Sequence, residues 1–480
     1  MAKNAPLDVL ARRYASQQMV DLWSQERYVL MERDLWISIM EMQREYGHEI
    51  PVDAIEAYER VKTNIDLASI DARERKTRHD VKARIEEFNH LASVELGRQV
   101  EHLHEGLTSR DMGDNVEQMI VLESLELVHT RAVAVLIGLA RKAEQFEALD
   151  MCARTHNVPA QTTTLGKRFA NLAEEMMLAI NHLNNVMENY PMRGIKGPVG
   201  TGQDMMELLG SSEQAFEFEE SLQANMSWPG LFDSVGQVYP RSLDFQVVSV
   251  LNQLASAPAN MAKMIRLMAG HELMHEGFGK EQSGSSAMPH KMNSRTCERI
   301  NGLTHVIGGY LHMTQGLLGD QWYEGDVSCS VVRRVALQSS FMAIDGLFES
   351  ALTVLREMQV FPGMIERELL EYLPFLSTTR ILVAAVHKGV GRETAHRIIK
   401  KAALDTIEEK RSGMNIRGSF KGKLELAHSE LRLSSEEIAH LLSEPQHGRA
   451  VEQVRMVCQQ VDIYAKKYPE AAAYTPGSIL

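Results

Sequence analysis

The chain has 480 residues, 44% hydrophobic but only 6% aromatic, with 27 methionines, a mix that favours helices because strands prefer β-branched and aromatic side chains. Its formal net charge of −13 excludes nucleic acid as a bulk partner, so an anionic small molecule would need a locally basic pocket. The first residues, Met-Ala-Lys-Asn-Ala-Pro-Leu-Asp, lack the apolar core of a signal peptide, and the longest uninterrupted apolar tract, near Ala132–Ala140, is too short to cross a bilayer.

Residues 1–110 alternate short helical patterns with polar turns. Arg13-Tyr14-Ala15-Ser16 leads into an amphipathic run of Met19, Val20, Leu22 and Trp23 at helical spacing. Arg12 and Arg13 beside a phenol read either as surface residues or as a grip on phosphate, whose oxygens match guanidinium forks. Thr77-Arg78-His79-Asp80-Val81 follows a charged helix, and a lone His among Arg and Asp is ordinarily solvated. In His104-Glu105-Gly106-Leu107-Thr108-Ser109-Arg110-Asp111, Thr108 or Ser109 reads as a helix N-cap, with Asp111 and Asp114 in the first turns. Capping alone explains the hydroxyls. The same free N–H groups would also suit a carboxylate ligand.

From about 111 to 353 the pattern is that of long helices. Ile120, Val121, Leu125, Val128, Ala132, Leu136 and Leu139 keep i, i+3, i+4 spacing, as do Val247 to Met268, with Pro258 as an expected kink. Helices about three times the usual length need partners along their whole extent, and an intermolecular bundle provides them. Polar interruptions separate these helices at 154–168, 193–202, 236–241 and 321–334. They repeatedly pair Gly or Pro with Arg, Lys, His and Thr, which points to a shared anion site.

The longest interruption, 277–299, is rich in Gly and Ser and is expected to be a mobile loop. It carries the adjacent hydroxyls Ser285 and Ser286, then His290, Lys291, Asn293, Arg295 and Arg299. It reads as a surface linker or as a lid closing over an anion. After Pro362 the helices have ordinary length, and Tyr474-Thr-Pro-Gly-Ser reads as a frayed tail. The expected organisation is all-α in three domains: 1–110 N-terminal, 111–360 a central bundle of long helices, 361–480 C-terminal.

Cys152, Cys297, Cys329 and Cys458 are scattered without metal-ligand spacing and read as reduced thiols of a cytoplasmic protein. There is no nucleotide-binding Gly motif in a strand context and no Ser-His-Asp order, so no cofactor and no metal is expected. His156 beside Thr155 and Gln161, a Ser-Ser loop and many anion-binding groups suit proton abstraction next to a carboxylate with acid-assisted departure of an amine. On the residues alone a histidine base ranks above serine, whose alkoxide needs loop N–H groups in a closed, dry site.

Gly284-Ser-Ser-Ala-Met-Pro-His-Lys-Met-Asn293 closely resembles the signature loop of the fumarase/aspartase superfamily, and Glu298-Arg299 resembles its adenylosuccinate lyase branch. Matches run from Arg13-Tyr14 to Arg334. The resemblance implies the three-domain all-α fold and a homotetramer with sites at subunit junctions. It implies elimination of fumarate from adenylosuccinate, giving AMP, and from SAICAR, giving AICAR, in purine biosynthesis. Ser285 falls on the family's base and His156 on its acid. The substrate-binding positions fall on Arg13, Tyr14, Arg78, His79, Asp80, Thr108, Ser109, Gln237, Ser286, Lys291, Asn293, Arg299, Ser330 and Arg334, and His104 resembles a histidine lining the site.

One departure is Gly325, where many relatives carry Arg after a Trp-aromatic-Glu triplet. Arg333 is the candidate to supply the lost contact. Rival readings are an argininosuccinate lyase-like or other carboxylate lyase and a catalytically silent helical structural protein. Arg13-Tyr14 and Arg78-His79-Asp80 speak against the first, whose substrates carry no phosphate. The presence of both His156 and Ser285 speaks against the second.

Overall fold

The computed structural model describes residues 8–278, 288, 290–414, 416 and 418–477. The elements that carry the site begin with helices α1 (Val9–Arg13), α2 (Leu67–Thr77), α3 (Asp80–Leu96) and α4 (Ser109–Gln145). A hairpin of β1 (Asp150–Thr155) and β2 (Val158–Thr164) follows, then α5 (Leu165–Glu188), α6 (Ser242–Leu254) and α7 (Ser256–Ala269). The chain continues with α8 (Arg295–Gln315), α9 (Ser328–Glu357), α10 (Pro362–Leu376), α11 (Thr378–His387) and α12 (Ala450–Lys467). Shorter helices lie between them. The expectation of an all-α fold holds, since sheet among the described residues is confined to two-stranded pairs.

At 37 residues, α4 is the axis of the molecule. A rise of 1.5 Å per residue makes it roughly 55 Å long. The stripe read from Ile120 to Leu139 is buried, but so are Val133, Ala134, Val135 and Ile137 on its other faces. A helix apolar all round belongs at the centre of a bundle, and α4 packs along α5, α9 and α12 of its own chain. Its partners are therefore largely intramolecular, against expectation. The apolar residues left over lie elsewhere, with Val331 and Val335 on α9 exposed at 72% and 45%, and Val306 and Met313 on α8 at 38% and 36%.

Pro258 acts as its sequence predicts. It has no N–H to donate to the carbonyl of Leu254, and the helix breaks at Ala255 into α6 and α7. The C-terminal region departs from expectation in one respect. Residues 381–438 form a small core of their own, with Ile381, Phe420, Leu424 and Ile438 buried. Helix α12 instead returns to pack on α4 and α5. Nor is the tail frayed as far as Gly477, because the Tyr474 hydroxyl and the Gly477 N–H both donate to Glu349 on α9.

Pro362–His387 is long and apolar enough, by length and composition, to cross a membrane. In the structure it is two helices meeting at Ser377, with Leu369 and Leu376 packed on Cys152 of the hairpin and Ile381 in the small core.

Gly346, in the middle of α9, lets the chain that leaves the first helix pass close against it. A Cβ there would lie 2.7 Å from both Cβ and the carbonyl oxygen of Tyr14, so the backbone leaving α1 rests directly on the bare helix. Two effects compete on Gly346→Ala. Helix propensity alone would stabilise by about 1 kcal/mol. Overpacking against backbone costs typically about 1–3 kcal/mol and should win. The urea midpoint of Gly346→Ala is expected to fall, and a midpoint at or above wild type would show that Tyr14 does not rest on α9.

Candidate active site

The site begins with a buried carboxylate. Thr108 caps α4, and its N–H donates to Asp111 Oδ2 at 2.7 Å. Asp111 Oδ1 accepts from the N–H groups of Lys196 and Gly197, each at 3.0 Å, and from the Arg193 guanidinium. Four donors hold one fully buried anion, so the 193–197 loop is fixed to the start of α4. One turn on, Asp114 pairs with Arg241 at 3.0 Å and Arg110 at 3.2 Å. Burial pushes the Asp114 carboxyl up, but Arg241, Arg333, Arg110 and Arg193 outweigh it and hold it below its usual value. Asp244 completes the core, accepting from the Tyr239 hydroxyl at 2.7 Å and Arg333 Nε at 2.8 Å.

This core corrects two expectations. Arg193, Lys196 and Arg241, read as parts of an anion site, are neutralised internally by Asp111, Glu219 and Asp114. Arg333 does not replace the arginine missing at Gly325. It is buried, with Nη2 on the Tyr239 hydroxyl at 2.6 Å and Nη1 2.6 Å from Glu117. Gly325 itself has φ 136°, and a Cβ there would meet Val238 Cγ2 at 2.8 Å, so the position resists any side chain.

Around the core lies the first group of expected residues. His104, at φ 70°, accepts from Trp36 Nε1 at 3.4 Å. Burial pulls its pKa down to about 4, Asp111 opposes the shift and His79 adds to it, so the ring is neutral at pH 7. Arg78 takes the left-handed conformation that ends α2, and His79 caps α3, its Nδ1 accepting from the Lys82 N–H at 3.3 Å. Burial raises the Asp80 carboxyl, yet Arg84, His79 and Arg334 together hold it below its usual value. Ser330 accepts from Arg110 at 3.0 Å. Gln237 donates its N–H to the Glu324 carbonyl at 2.7 Å and accepts from Arg193 at 2.8 Å. Ser109 opens α4 beside Thr108. The structure thus brings Arg78, His79, Asp80, His104, Thr108, Ser109, Gln237, Ser330 and Arg334 to one end of α4.

A second group lies further along α9. Arg299 stands 5.5 Å from the centre of the Tyr14 ring. Its pKa is lowered by burial first and then by Arg13 and Arg295, against Tyr14 and Glu276. Several guanidiniums crowd here in a chain of net negative charge. Glu276 was not anticipated from sequence. Buried, it accepts from the N–H groups of Thr296 at 2.9 Å and Cys297 at 2.8 Å, capping α8 from nineteen positions before its first residue. No local signal marks so distant a cap. Burial and Glu276 push the Cys297 thiol well up, so it stays protonated beside the cap.

Beyond this group, a cavity of about 1100 Å³ is lined by Lys291 and Asn293 together with Lys263, Arg266, His275 and His290. Ser285 and Ser286 lie outside the described residues.

His156 is elsewhere again. The polar interruption at 154–161 is a β-hairpin, with Thr155 opposite Val158 and only His156 and Asn157 in the turn, at φ 51° and 62°. Two successive left-handed residues make the primed turn that matches strand twist. The β-branched run Thr162-Thr163-Thr164 opposite Asp150, Met151 and Cys152 was the available signal. Arg154 anchors the hairpin to Glu368 of α10 at 2.5 Å, and His156 is left exposed at the tip. The hairpin follows the far end of α4. His104 precedes the start of α4 and His156 follows its end, with a helix roughly 55 Å long between them in the chain.

Two family models match the sequence, one described as Lyase over residues 15–309 and one as Adenylosuccinate lyase C-terminus over 374–457. The chain is 29% identical over 475 residues to an adenylosuccinate lyase of Schistosoma mansoni, covering 97% of this chain and 96% of that one. It is 29% identical to that of Saccharomyces cerevisiae (83% and 84% covered) and 27% to that of Pyrococcus horikoshii (94% and 97%). In fold it is similar to the 3-carboxy-cis,cis-muconate lactonizing enzyme of Pseudomonas putida, with a TM-score of 0.80 at 17% identity over 95% and 99% of the two chains. A fumarate lyase of Mesorhizobium sp. BNC1 gives 0.79 at 18% identity over 95% and 100%.

The His104 environment sets a pH dependence. Its folded pKa lies below its ordinary value, so the native state excludes a proton that the unfolded chain accepts. The exclusion costs nothing above about pH 6.5, and stability is lost as pH falls towards 4. Between pH 7 and 4.5 the loss should be on the order of 2 kcal/mol. Chemical unfolding of His104→Gln across this window should show a shallower slope than wild type. An unchanged slope would mean that His104 is protonated as readily in the folded chain as in the unfolded one.

Proposed function

The chain belongs to the lyase family matched over residues 15–309, and on that basis we propose that it eliminates fumarate from adenylosuccinate, giving AMP, and from SAICAR, giving AICAR, in purine biosynthesis. The observation that carries the choice of a phosphorylated substrate is the grouping of Arg13, Arg295 and Arg299 about Tyr14. Arg299 is half-buried while Arg13 and Arg295 are exposed beside it, and a phosphate bound among the three would offset their mutual repulsion. The carboxylates of an unphosphorylated succinyl compound would also pair with such a group, so the choice of adenylosuccinate rests equally on the similarity to adenylosuccinate lyases over most of the chain.

In the proposed reaction Ser285 takes the proton from the succinyl carbon next to a carboxylate. The electron pair left behind forms the C=C bond of fumarate as the C–N bond breaks, and His156 gives its proton to the departing nitrogen. The intermediate carries an extra negative charge beside an existing carboxylate. Lys291 and Asn293 are assigned to it. Neutral His104 with Thr108 and Ser109 is assigned to hydrogen bonding, since an uncharged ring can both donate and accept.

The site is assigned to junctions between subunits of a homotetramer. His104 precedes and His156 follows the 37-residue helix α4, while Val331 and Val335 of α9 and Val306 and Met313 of α8 leave apolar stripes at helical spacing exposed, and both features support this reading. Residues 1–110 and 111–360 are proposed as two domains, with the third, expected over 361–480, centred on the small core of 381–438, since α12 packs on α4 and α5. All four cysteines are unpaired thiols, which suits the proposed cytoplasmic location. No cofactor enters this scheme.

Following the loss of adenylosuccinate absorbance on addition of purified protein tests the activity directly, and no turnover would overturn it. Ser285→Ala should remove turnover while substrate still binds, because the base acts on the transition state. Turnover within about tenfold of wild type would remove Ser285 from the role. Arg13→Ala should weaken adenylosuccinate by roughly 2–5 kcal/mol, mostly in affinity. Its dephosphorylated nucleoside should lose little, and an equal loss on both would mean that Arg13 does not hold the phosphate.

A further inference from the structure

Between α4 and α9 lies a buried charge cluster that the reaction does not use. Arg131 of α4 faces Asp345 and Glu349, one turn apart on α9, and all three are nearly inaccessible to solvent. Arg131 Nε is 3.2 Å from Glu349 and 3.9 Å from Asp345. Two carboxylates share one guanidinium, so each needs further donors. Those donors come from the two ends of the chain.

From the N-terminal side, the Ser16 N–H donates to Asp345 Oδ2 at 2.6 Å, and Gln18 Oε1 accepts from Arg131 Nη2 at 2.5 Å. From the C-terminal side, the Tyr474 hydroxyl donates to Glu349, and the Gly477 N–H donates to its other oxygen at 2.7 Å. The Tyr474 ring lies 3.6 Å from the Arg131 guanidinium carbon. Next to Asp345 stands Gly346, on which the Tyr14 backbone rests.

We propose that the C-terminal segment Tyr474–Gly477 is a positioning element, which holds the Arg13–Tyr14 turn in its anion-binding place through Glu349, Arg131 and Asp345. This rests on the reading of Arg13 and Tyr14 as phosphate contacts. Without Tyr474, Glu349 loses a hydroxyl donor and Arg131 loses the ring beside it. Arg131 then moves towards Glu349, leaving Gln18 and Asp345. Asp345, already raised to about 6 by burial, is left with less positive charge beside it and a weaker hold on the Ser16 N–H. The turn that carries Arg13 is three residues away in sequence. Tyr474 touches no substrate and acts entirely through this relay.

The test uses Tyr474→Ala, Asp345→Ala and Asp345→Asn in the full chain. Hydrogen exchange of the Ser16 amide is measured without substrate, and KM and kcat are measured for adenylosuccinate and for its dephosphorylated nucleoside. Tyr474→Ala and Asp345→Ala should each accelerate Ser16 exchange and raise KM for adenylosuccinate about tenfold, with kcat within about twofold and the nucleoside unchanged. Asp345→Asn keeps an acceptor for Ser16 and should recover KM to within about threefold of wild type. Ser16 exchange unchanged in Tyr474→Ala overturns the proposal, whatever the kinetics. Faster exchange with equal kinetic loss on both substrates supports the relay and overturns the phosphate reading of the turn instead.

Discussion

The architecture depends on the carboxylates that the first two turns of α4 bury. Asp111 and Asp114, with Asp244 beside them, face Arg193, Arg241 and Arg333 in a space where all six are 6% exposed or less. Such a cluster is a poor source of net stability, since desolvation of each ion offsets most of the attraction. Its contribution is geometric. Each pair breaks at a cost of about 3–5 kcal/mol if one partner leaves, so three loops and the start of α9 are obliged to meet at one point. His104, His79, Asp80, Ser330 and Arg334 are carried to the rim of that point by the elements the core fixes.

The second constraint is length. Helix α4 is continuous over 37 residues, and it separates the rim around His104 from the hairpin that bears His156. A rod of this kind cannot bend to bring its ends together. The chain therefore displays its groups as separate stations: the rim at the start of α4, the arginine cluster at Tyr14, the Lys291–Asn293 cavity, and the hairpin tip. Exposed valines on α9 and the apolar residues of α8 offer the surface by which copies of the chain would bring stations together. On the proposed reading oligomerisation is a condition of catalysis, because the described site residues of one chain fall into these separate stations.

Much of this was legible in the sequence, and the failures have physical causes. Helical periodicity from Ile120 to Leu139 located α4, since apolar spacing is a local property. Pro258 announced the break at Ala255 because a missing N–H acts four residues away. What periodicity could not convey was partnership between distant residues. Arg193, Arg241 and Arg333 look like anion ligands in a list of residues, and the structure shows them facing Asp111, Asp114 and Asp244. Glu276 caps a helix nineteen residues away, and the tail at Tyr474 docks on Glu349. The hairpin at 150–164 was missed for a different reason. Its strands are short, polar on one face and interrupted by a bulge between Cys152 and Arg154, which blurs alternation. The expected contributions of Ser285 and Ser286 lie outside the described residues and rest on the resemblance alone.

The central claim is that one site is assembled from several chains, and we propose in particular that its His156 and Ser285 come from different ones. It is tested by refolding together equal amounts of His156→Ala and Ser285→Ala proteins, each nearly inactive, and assaying the mixed oligomers. Independent assortment leaves about one site in four with both residues intact, so activity should recover to about a quarter of the wild-type value. Activity that stays at the level of each mutant refolded alone, in oligomers shown to contain both, would mean that one chain supplies both residues and would contradict the account.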